Sequence, residues 1–121
     1  MPSEVAINER QYAALRGDVE ARWIGRLCEW LRRHAEPART MSEPTLAALV
    51  RRQCDHARAV GITTERALAK WCYLAAMTGE RFDTLSEVAA VLRDRSIRSA
   101  AQRVDILMKA YESAARRREG P

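Results

Sequence analysis

The chain predicts an all-α fold: a single bundle of about five helices, the first of them long. Three observations point there. Ala, Leu and Arg are abundant while β-branched and aromatic residues are sparse, a balance that favours helix over strand. Apolar residues recur at intervals of three and four along most of the chain, the spacing that lays a stripe down one side of a helix. The four prolines, at positions 2, 37, 44 and 121, fall at ends and breaks and never in mid-stripe. At 121 residues, 47% apolar and 31% charged, the chain reads as one domain, 1–121, with one modest core. Residues 1–7 and 117–121 read as loose ends.

Asn8 with Gln11 fits an N-cap for the first helix. Its stripe runs through Tyr12, Leu15, Val19, Trp23, Leu27, Trp30 and Leu31 to about His34. Gly17 is a weak point within it, at about 1 kcal/mol relative to Ala. Trp23 and Trp30 share a face, and either pack in the core or anchor a partner. Pro37 ends this helix; Pro44 suits the first turn of the next, capped by Ser42 or Glu43. Leu46, Leu49, Val50, Gln53, Cys54, Ala57 and Val60 then recur at helical spacing, with Arg51, Arg52, Asp55 and Arg58 on the outer face and Gly61 as the stop.

Thr63 is the expected N-cap of the third helix. Leu68, Trp71, Cys72 and Ala75 form its apolar side, and Tyr73 and Leu74 widen it, which makes this the most buried helix. Gly79 stops it. Phe82 follows in a polar turn, Glu80-Arg81-Phe82-Asp83, where it either plugs the core or meets a partner. Thr84-Leu85-Ser86-Glu87 is a capping box opening a short helix with Leu85, Val88, Val91 and Leu92. Asp94-Arg95-Ser96 is a boundary. The last helix carries Ile97, Ala100, Ala101, Val104, Leu107, Met108 and Tyr111 and runs into Arg116-Arg117-Arg118, three cations that complement a helix C-terminus.

Catalytic chemistry finds little support. Cys54-Asp55-His56 is the one local cluster of metal-ligand types, but neighbours on a helix point in different directions and cannot chelate together. Neither a C-x-x-C nor an H-x-x-x-H spacing occurs, so no metal is expected. No glycine-rich phosphate loop is present, and His34 and His56 have no nucleophile beside them in a supporting pattern. The expectation is a non-enzyme without cofactors. Cys28, Cys54 and Cys72 read as free thiols of a reducing compartment. With no long apolar run and no signal-like start, the expected location is cytoplasmic, with no membrane contact.

The net charge is +5, and nineteen of the 21 basic residues are Arg. This raises nucleic-acid binding, and Val60-Gly61-Ile62-Thr63 resembles the turn of a helix-turn-helix. The following helix carries Trp71, Cys72, Tyr73, Leu74 and Met77, too apolar to lie in a groove, with only Arg66 and Lys70 basic. A protein-binding surface would instead be an apolar patch rimmed by Arg. Its candidates are Trp23, Trp30, Arg81, Phe82 and Asp83 with the tail Arg116, Arg117 and Arg118.

The stretch Gly61, Ile62, Thr63, Thr64, Glu65, Arg66, followed by Gly79, Phe82, Asp83 and Thr84, resembles a group of small helical accessory proteins encoded in bacterial type VI secretion spike and effector clusters. The layout of the helices before it fits the same group. After Thr84 the group often continues with Asp-Pro and a Trp, where this chain has Leu85-Ser86-Glu87. The resemblance implies a non-enzymatic adaptor or co-chaperone for loading a secreted effector, its partner being the toxin or the toxin's loading chaperone. The alternatives are an immunity protein neutralising a cognate toxin, which a chain at +5 fits poorly if the toxin is a nuclease, and a small nucleic-acid-binding regulator.

Overall fold

The structure, a computed structural model, describes the backbone at residues 9–80, 82, 86–94, 96, 97 and 99–119, and the side chains of 17–80, 82, 88–94, 96, 97 and 99–116. It is all-helical, with no strand among the described residues. The helices are α1 (Glu9–His34), α2 (Glu36–Arg39), α3 (Glu43–Ala59), α4 (Glu65–Thr78), α5 (Ser86–Arg93) and α6 (Ala100–Glu119). The element that periodicity does not reveal is α2. It is a single turn around Pro37, and its four residues are too few to show a stripe.

The junction of α1 and α2 is tied by two arginines. Ala35 leaves helical geometry at φ −115, ψ 109, which turns the chain. Arg39 Nε donates to the Arg32 carbonyl at 3.0 Å and Arg39 Nη2 to the Arg33 carbonyl at 3.2 Å. These are among the carbonyls that the end of α1 leaves without a helical partner. In return, Arg32 Nη1 donates to the Ala38 carbonyl at 3.0 Å.

Ser42 caps α3, its hydroxyl accepting from the Thr45 N–H at 3.3 Å. At the other end the chain makes a Schellman turn. Gly61 sits at φ 90, its N–H donates to the Arg58 carbonyl, and Ile62 N–H reaches back to the Ala57 carbonyl, both at 3.0 Å. The buried Ile62 and Ala57 supply the apolar closure that accompanies this motif. The cap of α4 is Thr64 and not Thr63: the helix begins at Glu65, and Thr64 Oγ1 accepts from the Ala67 N–H at 3.2 Å. The Schellman turn reaches to Ile62, so helical geometry starts one residue later than two adjacent threonines reveal by type alone. Gly79 closes α4 in the left-handed region at φ 68.

Asn8 and the Thr84–Glu87 box lie outside the residues whose side chains are described. Between α5 and α6, Asp94 Oδ1 accepts from the Ser96 N–H at 2.9 Å and the Ser96 hydroxyl at 2.7 Å. Ser99 Oγ accepts from the Gln102 N–H at 3.3 Å, so α6 starts at Ala100 and Ile97, expected inside it, precedes it. Arg103 fastens this linker by donating to the carbonyls of Asp94 and Ile97 at 3.2 and 3.0 Å.

Helix α4 is the centre. It packs against α1, α2, α3 and α6, while α5 packs on α6. Seven of its residues are buried, among them Leu68, Trp71, Cys72 and Leu74. They meet Leu27 and Leu31 of α1, Leu46 and Val50 of α3, and Val104 and Leu107 of α6 in one core. Each large apolar side chain buried there stabilises the fold by about 1.5–3 kcal/mol. Among the described residues, no helix is long and apolar enough to cross a membrane.

Candidate protein-interaction surface

Residues two apart on a helix point about 200° away from each other. Trp71 and Tyr73 therefore look to opposite sides of α4, and each sits in an aromatic group of its own.

The inner group is fully enclosed. Trp71 is 1% exposed, and Phe82 packs edge-on against it, ring centroids 4.8 Å apart at 71°. The indole N–H donates to Gln53 Oε1 at 2.9 Å. Gln53 is itself buried and donates through Nε2 to Glu80 Oε1 at 3.0 Å. Arg52 then grips Glu80 with both Nε and Nη2, at 3.3 and 2.9 Å. Burial pushes the Glu80 carboxyl up, but the hydrogen bonds from Arg52 and Gln53 and the nearby charges of Arg52 and His56 together hold it below the usual glutamate range. A carboxylate kept ionised by four stabilising influences is suited to fixing a corner and not to taking a proton. Phe82, of the two roles open to it in sequence, occupies the core one.

The outer group is a row that crosses three helices. On α1, the Trp30 and His34 rings lie one turn apart with centroids 4.8 Å apart at 38°. Trp30 meets Tyr73 of α4 edge-on at 6.2 Å and 65°, and Tyr73 meets Tyr111 of α6 at 6.2 Å and 83°. Edge-to-face contacts at this range are attractive, by about 0.5–1.5 kcal/mol beyond the area they cover. Trp30, Tyr73 and Tyr111 are half-buried, and His34 is exposed. All three pack against the buried core. Burial, Tyr111 and the Glu112 charge all push the Tyr73 hydroxyl up, so it remains a neutral donor well above neutral pH.

A charged flank runs beside the row. Lys70, three residues before Tyr73, pairs with Asp105 of α6. That hydrogen bond, with the charges of Lys70, Arg66 and Lys109, holds the Asp105 carboxyl below its ordinary range against the opposing effect of burial. Helix-to-helix pairing recurs elsewhere: Arg58 of α3 meets Glu20 of α1 at 3.0 Å. That pair lies beside a cleft of about 310 Å³ walled by Gly17, Glu20, Ala21, Ile24, Arg51 and Asp55. Its polar walls present no nucleophile and base in contact.

Of the residues singled out from sequence, Trp30 belongs to the outer row, and Trp23 is half-buried against the core. Arg116 is exposed five residues beyond Tyr111. Arg81 and Asp83, and the side chains of Arg117 and Arg118, lie outside what the structure describes. Tyr73, Tyr111 and His34 were not singled out. Each reads in sequence as an ordinary stripe-edge or helix-end residue, and only the packing of α1, α4 and α6 aligns them. Gln53 did carry a signal: it is an amide at a position where the α3 stripe calls for an apolar side chain.

Cys54 and Cys72 face each other, Sγ to Sγ 3.8 Å, and are buried as free thiols, while Cys28 is half-buried. Their contact pushes the Cys72 thiol up, with burial adding to it, and draws the Cys54 thiol down; both sulfurs are shut off from solvent in the core. No group of three or more His, Cys, Asp or Glu among the described residues is arranged to hold a metal. Helix α4, the one a helix-turn-helix reading would send into a groove, is enclosed by four neighbours. Neither a protein-family model, nor a curated protein, nor a solved structure matches this chain.

Proposed function

We propose that this protein is a non-enzymatic protein-binding module that uses the Trp30–Tyr73–Tyr111 row as its contact. The observation that carries this is the row itself: three large aromatic side chains from three helices, aligned by edge contacts and held half-buried against the core. Tyr and Trp dominate protein interfaces because they offer a large amphipathic area and lose little conformational entropy when bound. Their alignment across helix axes gives a ready-formed surface on which a partner's helix can lie.

The finer role, an adaptor or co-chaperone that loads a type VI secretion effector in the cytoplasm, is supported by the resemblance of Gly61–Arg93. The structure gives most of that stretch local work: Gly61 makes a Schellman turn, Thr64 caps α4, Gly79 ends it and Phe82 fills the core. The loading role is tested by co-expression with the products of the neighbouring genes. A complex with a toxin or its chaperone is expected, weakened at least tenfold by Trp30→Ala or Tyr111→Ala while helix content is kept. A protein that stays monomeric and partner-free with every neighbour overturns it. Growth rescue against the toxin without any effect on its export would move the assignment to immunity.

A further inference from the structure

Three cysteines from three helices lie close together, and neither aromatic group uses them. Cys54 of α3 and Cys72 of α4 are 1% and 0% exposed, with their Sγ atoms 3.8 Å apart. Cys72 Sγ is also 4.0 Å from the Val50 carbonyl oxygen, so it sits over the turn of α3 that ends at Cys54. Cys28 of α1 is half-buried and near enough to act on both. A disulfide bond is about 2.0 Å long. The facing sulfurs must therefore close by about 1.8 Å, within reach of small rotations of the two side chains.

The two thiols are chemically unequal. The contact with Cys72 draws the Cys54 thiol down, and the Arg58 charge helps, against burial and the charges of Glu20 and Asp55. The same contact pushes the Cys72 thiol up. Cys54 is thus the one that gives up its proton, while Cys72 keeps its own. Burial pushes the Cys28 thiol up, which makes it the poorer nucleophile. A thiolate with a second thiol beside it is the arrangement that oxidants convert to a disulfide.

An enclosed pair reacts only if an oxidant has a way in. The cleft between α1 and α3 supplies the start of one. Two of its walls, Arg51 and Asp55, lie on α3 one turn before Cys54 and directly after it. A third, Glu20 of α1, is near enough to act on the Cys54 sulfur. Arg58 closes this end, 3.0 Å from Glu20 and 3.9 Å from Asp55, and all three side chains are exposed. Exposed ion pairs hold weakly, so the cover opens at low cost and admits a water-sized oxidant more readily than a bulky disulfide.

We infer that Cys54 and Cys72 are an oxidation site: a hydroperoxide entering by the α1–α3 cleft converts them to a disulfide that links α3 to α4. The Cys54 thiolate sulfur attacks one peroxide oxygen and the O–O bond breaks. The other oxygen leaves as water or an alcohol, taking the proton that Cys54 released. Sulfur has lost two electrons, the peroxide has gained them, and Cys54 is a sulfenic acid. The Cys72 sulfur then attacks the Cys54 sulfur. The S–O bond breaks, the hydroxyl leaves as water with the Cys72 proton, and the S–S bond forms. A thiol reductant reverses the link. The site is independent of the protein-binding reading above.

The test exposes the intact, reduced protein, freed of reductant, to hydrogen peroxide. Remaining thiols are alkylated in denaturant and the chain is mapped by mass spectrometry. The expected result is a Cys54 peptide joined to a Cys72 peptide, with Cys28 alkylated and the link removed by dithiothreitol. In Cys72→Ala, dimedone should trap Cys54 as the sulfenic acid. Glu20→Ala, at an exposed position, removes both the tie across the cleft and a charge that opposes the thiolate. It should speed linkage by about threefold or more. Free thiols at 54 and 72 after prolonged exposure, or a link made through Cys28, overturn the site. An unchanged rate in Glu20→Ala overturns the cleft as the way in. Both decisive readings come from the parent chain and a surface variant, so they hold whether or not the core variant folds.

Discussion

Trp71 and Tyr73 are two residues apart on α4 and head two aromatic groups with the same preference for edge-to-face contact. Their surroundings differ. The inner ring is enclosed, its N–H is satisfied by a buried amide, and the amide is satisfied by a carboxylate held between Arg52 and Gln53. The outer ring is half-buried, with ring neighbours on two other helices and the Lys70–Asp105 pair nearby. Aromatic geometry alone does not distinguish a core from a contact surface. What does is whether every polar atom nearby is already committed within the fold.

The largest expected effect lies on the inner side. Trp71→Ala removes a fully buried indole and leaves a cavity at the crossing of α3 and α4. It should destabilise the protein by about 4 kcal/mol in urea or thermal unfolding. For a domain of ordinary stability, about 5–15 kcal/mol, that is a large share. An effect near 1 kcal/mol would show that the inner group is not the anchor. Next is Trp71→Phe, which keeps most of the ring but leaves Gln53 Oε1 without its donor. The expected loss is about 2 kcal/mol, the scale for a buried polar atom left unpaired. A much smaller loss would mean that water replaces the indole N–H.

Why one side was easier to foresee follows from where the information sits. Helix starts and stops rest on single residues and their chain neighbours. Gly61 and Gly79 are therefore readable from residue type, as are the stripes that place Leu31, Leu46 and Trp71 inside, while the cap of α3 is narrowed to Ser42 or Glu43 and the structure shows Ser42. Thr63 and Thr64 have the same capping chemistry, and only the reach of the preceding Schellman turn, to Ile62, decides between them. The outer row joins residues 30, 73 and 111, whose meeting depends on which helices are neighbours and in what rotation. The charge pairs follow the same rule. Spacing within a helix can show a pair such as Arg58 with Asp55, 3.9 Å apart on α3, but not Arg58 with Glu20 or Lys70 with Asp105, which run between helices.

On the outer side, Tyr111→Ala should lower stability by about 2 kcal/mol, roughly half from the edge-to-face pair and half from the half-buried ring area, while having its main effect on partner binding. This is the reverse of the Trp71 pattern, and the contrast between the two variants is the sharpest test of the division. A Tyr111→Ala protein as unstable as Trp71→Ala would make the row part of the core. A Trp71→Phe protein that folds yet binds no partner would extend the contact surface to the inner side.

The smallest effect is a dependence on pH from the inner side's polar corner. The Glu80 carboxyl titrates lower in the folded protein than its ordinary value of 4.5. The folded state therefore binds the proton less readily than the unfolded chain. The stability that this ion pair contributes is fully present above the unfolded value and is lost as pH falls from about 4.5 through the lower folded value. Glu80 is 28% exposed and its partner Arg52 is 53% exposed, so solvent screening limits the contribution to about 1 kcal/mol or less. Glu80→Gln can still accept from Arg52 and Gln53 but carries no titrating group. Unfolding free energy between pH 3 and pH 6, taken as about one unit or more either side of the ordinary value, should fall less steeply toward acid in the variant than in the parent. Equal slopes would place the acid sensitivity elsewhere, with Asp105 beside Lys70 as the next group to replace. In that case the inner corner would hold by Gln53 and Trp71 alone, without help from charge.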